Sequence, residues 1–245
     1  MRIIGIIPAR MASTRFPGKP LAKINGIPMI GHVYKRSKEA KILDEVYVAT
    51  CDKEIFEYIE SIDGKAIMTA ESHQRASDRS AEALDKIEKE KNHKIDIVVM
   101  IQGDEPMIVP DMIEASVEPL FSEEDIDAVN LMTEIKSVGE WNDPNEIKVV
   151  VDRNSNALYF SREPIPSSKK YNGKIKAYKQ VCVIPFKRER LKKYLSLSET
   201  LLEKIESIDM NRILENGGIV KMVLTNYQTF AVDTPEDLEK VKLFL

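Results

Sequence analysis

Arg2-Ile3-Ile4-Gly5-Ile6-Ile7-Pro8-Ala9-Arg10-Met11-Ala12-Ser13-Thr14-Arg15-Phe16-Pro17-Gly18-Lys19-Pro20-Leu21 is the stretch on which the reading of this chain turns. Ile3 to Ile7 is an unbroken apolar run and predicts a buried first strand. The run then breaks into a loop carrying Arg10, Arg15 and Lys19 among Pro8, Pro17, Gly18 and Pro20. In open α/β sheets, ligands gather beyond the carboxyl ends of the strands. Arginine offers flat, forked donors to phosphate oxygens, and lysine a mobile point charge. Three fixed positive charges on a proline-stiffened backbone at that position suit a polyphosphate. Charge alone suits a basic surface loop equally well.

Outward from the loop the pattern is strand, helix, strand, helix, strand. Asn25-Gly26 is a turn signal. Pro28 opens a helix to about Ala40, on the apolar spacing of Met29, Ile30, Val33 and Tyr34. Asp44 to Thr50 is a second strand, and Asp52 is placed to cap a helix over Lys53 to Ile62. Gly64 ends that helix, and Lys65 to Thr69 is a third strand. The alternation predicts α/β architecture: a Rossmann-like, mostly parallel central sheet flanked by helices. An irregular polar stretch, Met68 to Arg79, precedes a helix from about Ser80 to Lys91. Ile95 to Ile101 is the most apolar strand and is expected near the sheet centre. It runs into Gln102-Gly103-Asp104-Glu105-Pro106.

Further helices are expected over Asp111 to Phe121, Arg188 to Tyr194 and Glu203 to Gly217, with a last one after Val232-Asp233-Thr234-Pro235-Glu236-Asp237-Leu238. Strands are expected over Ala128 to Thr133, Ile147 to Val151, Ala157 to Phe160, Tyr178 to Phe186 and Ile219 to Leu224. Lys169 to Lys176 reads as a polar, mobile connection. The later strands and hairpins suggest a small accessory layer. With no repeat, low-complexity tract or break in composition, residues 1–245 read as one domain.

The net charge of -4 argues against a general nucleic-acid binder. Cys51 and Cys182 are the two cysteines, with no C-x-x-C spacing, which predicts neither a zinc site nor a disulfide framework. No apolar stretch reaches the length of a membrane span. These features predict a cytoplasmic protein without membrane insertion.

Asp104, after the most apolar strand, and Asp233, before the last helix, are expected to converge on a crevice facing the first loop. Mg²⁺ takes one or two carboxylates plus phosphate oxygens and water. Two aspartates opposite an Arg/Arg/Lys loop therefore suit a nucleoside triphosphate. Asp233-Thr234-Pro235-Glu236 is also an ordinary helix start with proline in the first turn, and at this level both readings of Asp233 stand. His32, within an apolar helix, reads as a packing residue. His73 serves a structural or an acceptor-side role equally well.

The order of residues goes further than their charge. Ile6-Ile7-Pro8-Ala9-Arg10, Ser13, Arg15, Pro17-Gly18-Lys19-Pro20-Leu21 and Ile27-Pro28-Met29-Ile30 with His32-Val33 closely resemble the 3-deoxy-manno-octulosonate cytidylyltransferases (CMP-Kdo synthetases). Further matches follow in the family's order: Met68-Thr69 with His73 and Asp78-Arg79, Gln102-Gly103-Asp104-Glu105-Pro106, Asp143-Pro144-Asn145 and Lys148-Val149-Val150. Ala157-Leu158-Tyr159-Phe160-Ser161-Arg162 with Ile165-Pro166, then Leu202-Glu203, Glu206, Arg212 and the 232–238 segment complete the resemblance. It implies a nucleotide-diphospho-sugar transferase type of fold with a small dimerisation layer, usually as a homodimer, acting in lipopolysaccharide biosynthesis. It implies CTP as substrate, Mg²⁺ as cofactor and a sugar acid as acceptor, whose anomeric hydroxyl attacks the α-phosphorus and releases pyrophosphate. By resemblance, Pro8, Ala9, Arg10, Ser13, Arg79 and Gly103 hold the nucleotide. Arg15 and Lys19 take the phosphates and act in catalysis with Asp104 and Asp233, which bind the metal. Gln102, Arg75 and Arg162 face the acceptor, as do the positions of Gln180, Ile184 and Met210.

The chain departs from the family pattern on that acceptor side. The usual Ser-Gly-Thr is Arg75-Ala76-Ser77. The usual His-x-Gly-x-Tyr is Gln180-Val181-Cys182-Val183-Ile184, and the usual Gln-Leu is Met210-Asn211. Loss of two hydroxyl-binding groups and gain of Arg75 point to a modified ulosonic acid, a nonulosonic acid or a phosphonate as alternative acceptor. A non-catalytic nucleotide-binding regulator is opposed by the intact Asp104, Asp233, Arg10, Arg15 and Lys19. A glycosyltransferase would carry Asp-x-Asp, which Gln102-Gly103-Asp104-Glu105 does not supply.

Overall fold

β1 (Ile3–Ala9) is buried along its whole length and has a parallel neighbour on each side. This computed structural model describes residues 1–13, 15–170, 173 and 175–245. The expected mobile connection falls partly on Tyr171, Asn172 and Lys174, which lie outside the described residues. After β1 the chain passes a 3₁₀ turn at Lys19–Leu21 and the two-residue strands β2 (Lys23–Ile24) and β3 (Ile27–Pro28), joined by Asn25-Gly26. It continues through α1 (Met29–Lys38), β4 (Glu45–Thr50), α2 (Lys53–Ser61), β5 (Ala66–Met68), α3 (Ala76–Lys91), β6 (Ile97–Ile101) and α4 (Pro110–Val117). Strands β6, β1, β4 and β5 lie side by side in that order, all parallel. This is the α/β architecture expected from the alternating apolar runs: a parallel sheet with helical crossovers. Ala9 pairs with Thr50, so β1 and β4 end level with one another.

The chain divides into two compact units, residues 1–115 with 228–245, and residues 116–227. The second contains α5 (Pro119–Ser122), β7 (Ala128–Glu134), α6 (Val138–Asn142), β8 (Lys148–Val151), β9 (Ala157–Ser161), β10 (Tyr178–Val181), β11 (Val183–Lys187), α7 (Arg188–Ser196), α8 (Leu201–Glu206), α9 (Met210–Glu215) and β12 (Val220–Leu224). Its sheet runs β12-β7-β10-β8-β9, with β12 and β7 parallel and the remaining pairs antiparallel. At the β9 edge, the Asn211 side chain donates to the Phe160 carbonyl at 3.1 Å and accepts from its N–H at 3.3 Å. A side-chain amide thus completes the hydrogen bonding of that strand residue. The last helix, α10 (Pro235–Val241), belongs to the first unit. Ile24, Met29, Val232, Leu238 and Val241 form one buried cluster there, with Phe16 packed against it. That cluster fixes the C-terminal segment beside the first loop.

Several boundaries differ from the sequence expectation. α3 starts at Ala76, four residues early, because Arg79 and Glu82 turn back to hold the preceding loop. The helix expected over Asp111 to Phe121 is broken before Pro119, which lacks an N–H and crowds the preceding turn. The strand expected over Tyr178 to Phe186 divides at Cys182. The helix expected from Glu203 to Gly217 breaks at Ser207, whose φ of 54° is left-handed. The short helix α6 was not expected.

Candidate functional site

The first loop leaves β1 at Arg10 and folds back through Met11. The Met11 carbonyl accepts from the N–H of Ser13 at 2.9 Å and of Gly18 at 3.1 Å. Gly18 has φ 73°, a conformation open to glycine and strained for other residues. Asp52, expected to cap α2, holds the cap position without a side-chain cap bond. Its carboxylate instead accepts from the Met11 N–H at 2.8 Å. On the neighbouring strand end, a Cβ on Gly103 would lie 3.0 Å from the Pro8 carbonyl, so glycine permits the close approach of these two segments.

A cavity of about 350 Å³ opens at these strand ends, lined by Pro8, Ala9, Arg10, Ser13, Arg15, Lys19, Gln102, Gly103, Asp104 and Asp233 among others. Lys19 is among the residues lining it. Its ammonium lies 2.8 Å from Asp104 Oδ2 and 3.3 Å from Asp233 Oδ1, and Arg15 donates to the same Asp233 oxygen at 2.9 Å. Burial works to lower the Lys19 pKa, but the facing charges of Asp104 and Asp233 prevail and hold it above its ordinary value. The two aspartates are joined through the backbone as well, the Val232 N–H donating to the Asp104 carbonyl at 2.9 Å. The ambiguity at Asp233 resolves here. Thr234 caps α10, forming a capping box with Asp237, and the Asp233 carboxylate turns to the cations.

One ammonium shared by two carboxylates outlines a cation position with oxygen-only donors. Among the described residues no group of three or more His, Cys, Asp and Glu could hold a metal ion. Two carboxylates without a full protein cage suit Mg²⁺, which completes its shell with phosphate and water. The residues present therefore fit that ion.

His73, Gln74, Arg75, Ala76 and Arg79 line another part of the cavity. Arg10 donates to Gln74 Oε1 at 3.2 Å. Arg79, expected at the nucleotide, is 2 % exposed and donates to Thr69 Oγ1 at 2.5 Å and to the His73 carbonyl at 3.3 Å. Glu82, one turn on, accepts from the Ala70 N–H at 2.8 Å and lies 2.5 Å from His73 Nε2. Burial would raise the Glu82 pKa, but Lys86, the Ala70 N–H and His73 hold it down at about 2. Gln74 and Glu82 were not singled out from sequence, and Asp52 was read only as a helix cap. The helical spacing of Glu82 from Arg79 is a signal for a shared face that the reading of the sequence did not use. His32 bonds the Ile24 carbonyl at 2.9 Å, consistent with a packing role.

The sequence pattern of the cytidylyltransferase family matches residues 4–226. The 3-deoxy-manno-octulosonate cytidylyltransferase of Geobacter metallireducens is 41% identical over 98% of this chain and 96% of its own length. That of Thermodesulfovibrio yellowstonii is 43% identical over the same shares. The chain belongs to the 3-deoxy-manno-octulosonate cytidylyltransferase family. A solved CMP:2-keto-3-deoxy-manno-octonic acid synthetase complexed with CTP superposes with a TM-score of 0.90 at 36% identity, covering 100% of this chain and 98% of that one. The 4-diphosphocytidyl-2C-methyl-D-erythritol synthase of Anaerococcus prevotii, 16% identical with a TM-score of 0.65 over 99% of this chain and 97% of that one, shares the fold alone.

Four positions that the family resemblance assigns to the acceptor lie in the second unit. Arg162 donates to the carbonyls of Glu206 at 2.7 Å, Pro144 at 2.8 Å and Ser207 at 3.5 Å. The break between α8 and α9 supplies two of these acceptors. The Gln180 amide is hydrogen-bonded to Asn130, which in turn donates to the Val181 carbonyl at 2.7 Å. Ile184 and Met210 are buried apolar residues. In this member of the family, Arg162 and Gln180 are thus engaged in hydrogen bonds within their own unit, and Ile184 and Met210 are withdrawn from solvent.

Proposed function

We propose that this protein transfers the cytidylyl group of CTP to the anomeric hydroxyl of 3-deoxy-manno-octulosonate or a close relative, releasing pyrophosphate. The observation that carries this reading is the convergence of Arg15, Lys19, Asp104 and Asp233 in one cavity at the strand ends. Arg15 and Lys19 already have anionic partners, which phosphate oxygens can replace at similar distance. Arg10, Arg15 and Lys19 offset charge on the transferring and leaving phosphates, and Pro8, Ala9, Ser13 and Gly103 wall the nucleotide. Phosphoryl transfer asks the protein for positioning and charge neutralisation more than for covalent participation. Asp104 and Asp233 would hold Mg²⁺, whose chemistry when bound is to neutralise phosphate charge and lower the pKa of the acceptor hydroxyl. The hydroxyl oxygen attacks the α-phosphorus, the bond to the β-phosphate breaks, and the proton passes to solvent.

On the acceptor side, His73, Gln74, Arg75 and Gln102 are the polar groups in the cavity. A second reading keeps the chemistry and changes the acid. Gln180, Ile184 and Met210 stand where the family carries polar groups, and here one is bonded to Asn130 and two are buried and apolar. Arg75 adds a charge suited to a further anionic group, as on a modified ulosonic acid, a nonulosonic acid or a phosphonate. Residues 1–245 would act together as one cytidylyltransferase domain, in a cytoplasmic homodimer serving lipopolysaccharide biosynthesis. Among the described residues no helix is long and apolar enough to cross a membrane.

The test is incubation with CTP, Mg²⁺ and a panel of these acids, followed by pyrophosphate release. Turnover with the octulosonate at micromolar concentration supports the first reading. Turnover with another acid in its place supports the second. No release with any acid sinks both.

A further inference from the structure

Aspartate is among the strongest N-cap residues, because its carboxylate accepts from the first free N–H groups of a helix. Asp52 occupies that position on α2, with φ -102° and ψ 124°, and makes no such bond. Its Oδ2 accepts instead from the Met11 N–H at 2.8 Å. Parallel pairing explains the meeting. Ala9 of β1 is in register with Thr50 of β4, so residues two beyond each strand end leave the sheet together. The Asp52 N–H donates to Thr50 Oγ1 at 3.1 Å, which steadies the backbone from which the carboxylate projects. Met11 then organises the rest of the loop, its carbonyl accepting from Ser13 and Gly18. Lys19 follows Gly18 directly and stands between Asp104 and Asp233.

We propose that Asp52 is a positioning residue of the nucleotide loop. By holding the Met11 N–H through a charge-assisted bond, it fixes Met11 and, through its carbonyl, Ser13 and Gly18, and so sets Lys19 where it meets the triphosphate. Asp52 does not line the cavity and reaches the loop through Met11, the same carboxylate oxygen also accepting from the Cys51 thiol at 3.6 Å. The inference rests on the cytidylyltransferase reading, which supplies the nucleotide.

Substitution separates this role from helix capping. Serine caps a helix as well as aspartate, but its hydroxyl stops one bond short of Met11. Asparagine keeps an acceptor oxygen at the original reach. In the full-length protein, Asp52→Ser and Asp52→Ala are expected to weaken CTP binding by calorimetry and to raise the KM for CTP, each about tenfold. Their kcat at saturating CTP should stay within about twofold. Asp52→Asn should bind CTP within about threefold of the parent, and Asp52→Ser should keep the parent's Tm. Unchanged CTP affinity in Asp52→Ser overturns the proposal. So does an Asp52→Asn protein as weak as Asp52→Ala, or a loss of affinity that tracks loss of Tm across the series. If Asp52→Ala fails to fold, the serine and asparagine proteins decide. Failure of the functional reading is distinct: the parent itself would bind no CTP, which overturns both, or would bind it and release no pyrophosphate, in which case the affinities still decide the role of Asp52.

Discussion

Lys19 and Lys148 are both withdrawn from solvent, and their surroundings push them in opposite directions. Lys148 on β8 is fully buried, and its ammonium donates to the carbonyls of Asp143 at 2.8 Å, Glu146 at 2.7 Å and Arg162. Burial pushes its pKa below the ordinary value, against the charges of Asp143 and Glu146. Lys19 faces two carboxylates across an open cavity, and its pKa is held up despite burial. The difference lies in what holds each charge. Main-chain carbonyls are fixed by the fold, so no ligand takes Lys148 without undoing the 143–146 turn and the chain at Arg162. Carboxylates at a cavity can exchange one cation for another, and Lys19 can exchange them for phosphate. Arg162 and Arg15 repeat the contrast, the first bonded to three carbonyls and the second to Asp233 at the cavity. Burial of a cation does not mark it as functional; an exchangeable anionic partner beside open space does.

Two substitutions test that contrast most strongly. Lys19→Met should lower kcat/KM for CTP by at least about 10²-fold, with a Tm within a few degrees of the parent. Asp104→Ala and Asp233→Ala should match or exceed that loss in pyrophosphate release. Parent-like turnover in Lys19→Met would break the comparison. Lys148→Met should act on stability instead. Methionine fills the volume but leaves three buried carbonyls unpaired, costing about 2–3 kcal/mol. For a chain of this size that lowers Tm by about 4–12 °C. At a temperature where the protein stays folded, its kcat should remain within about threefold of the parent. Lost turnover at unchanged Tm would move Lys148 into the company of Lys19.

The same contrast marks what could be read from sequence. β1, β4 and β6 were legible because each is a buried run bounded by polar residues, and that pattern needs no tertiary information. The cations of the first loop were legible by type and order. Partner choice was not. Asp233 and Thr234 are both capping residue types, and sequence alone left open whether Asp233 caps α10 or serves the metal. Thr-x-x-Asp over Thr234 to Asp237 was the available signal, a capping box that frees the preceding aspartate. Thr234→Ala should therefore cost about 1 kcal/mol in urea unfolding, with pyrophosphate release reduced less than in Asp233→Ala. Asp52 was read as a cap for the reason that failed here: capping is a local rule, whereas the Met11 N–H arrives through strand register. The early start of α3 is a tertiary effect of the same kind, since its first three turns hold the 68–75 segment.

Glu82 stands between the two kinds of site, and its effect should be the smallest. It accepts from a fixed backbone donor, the Ala70 N–H, and from two side chains, His73 and Lys86. These partners outweigh burial and hold its pKa at about 2, below the ordinary 4.5. A carboxyl depressed in the folded state contributes stability above its unfolded pKa, and the contribution is lost as pH falls through the folded value. Parent and Glu82→Gln should therefore differ most in urea-unfolding stability above about pH 4.5. The gap should close between about pH 4.5 and 2. Because Glu82 is partly open to solvent, screening limits the gap to about 1 kcal/mol or less. A gap of constant size down to pH 2 would mean that geometry rather than charge holds the 68–75 segment, and Glu82 would then belong with Lys148.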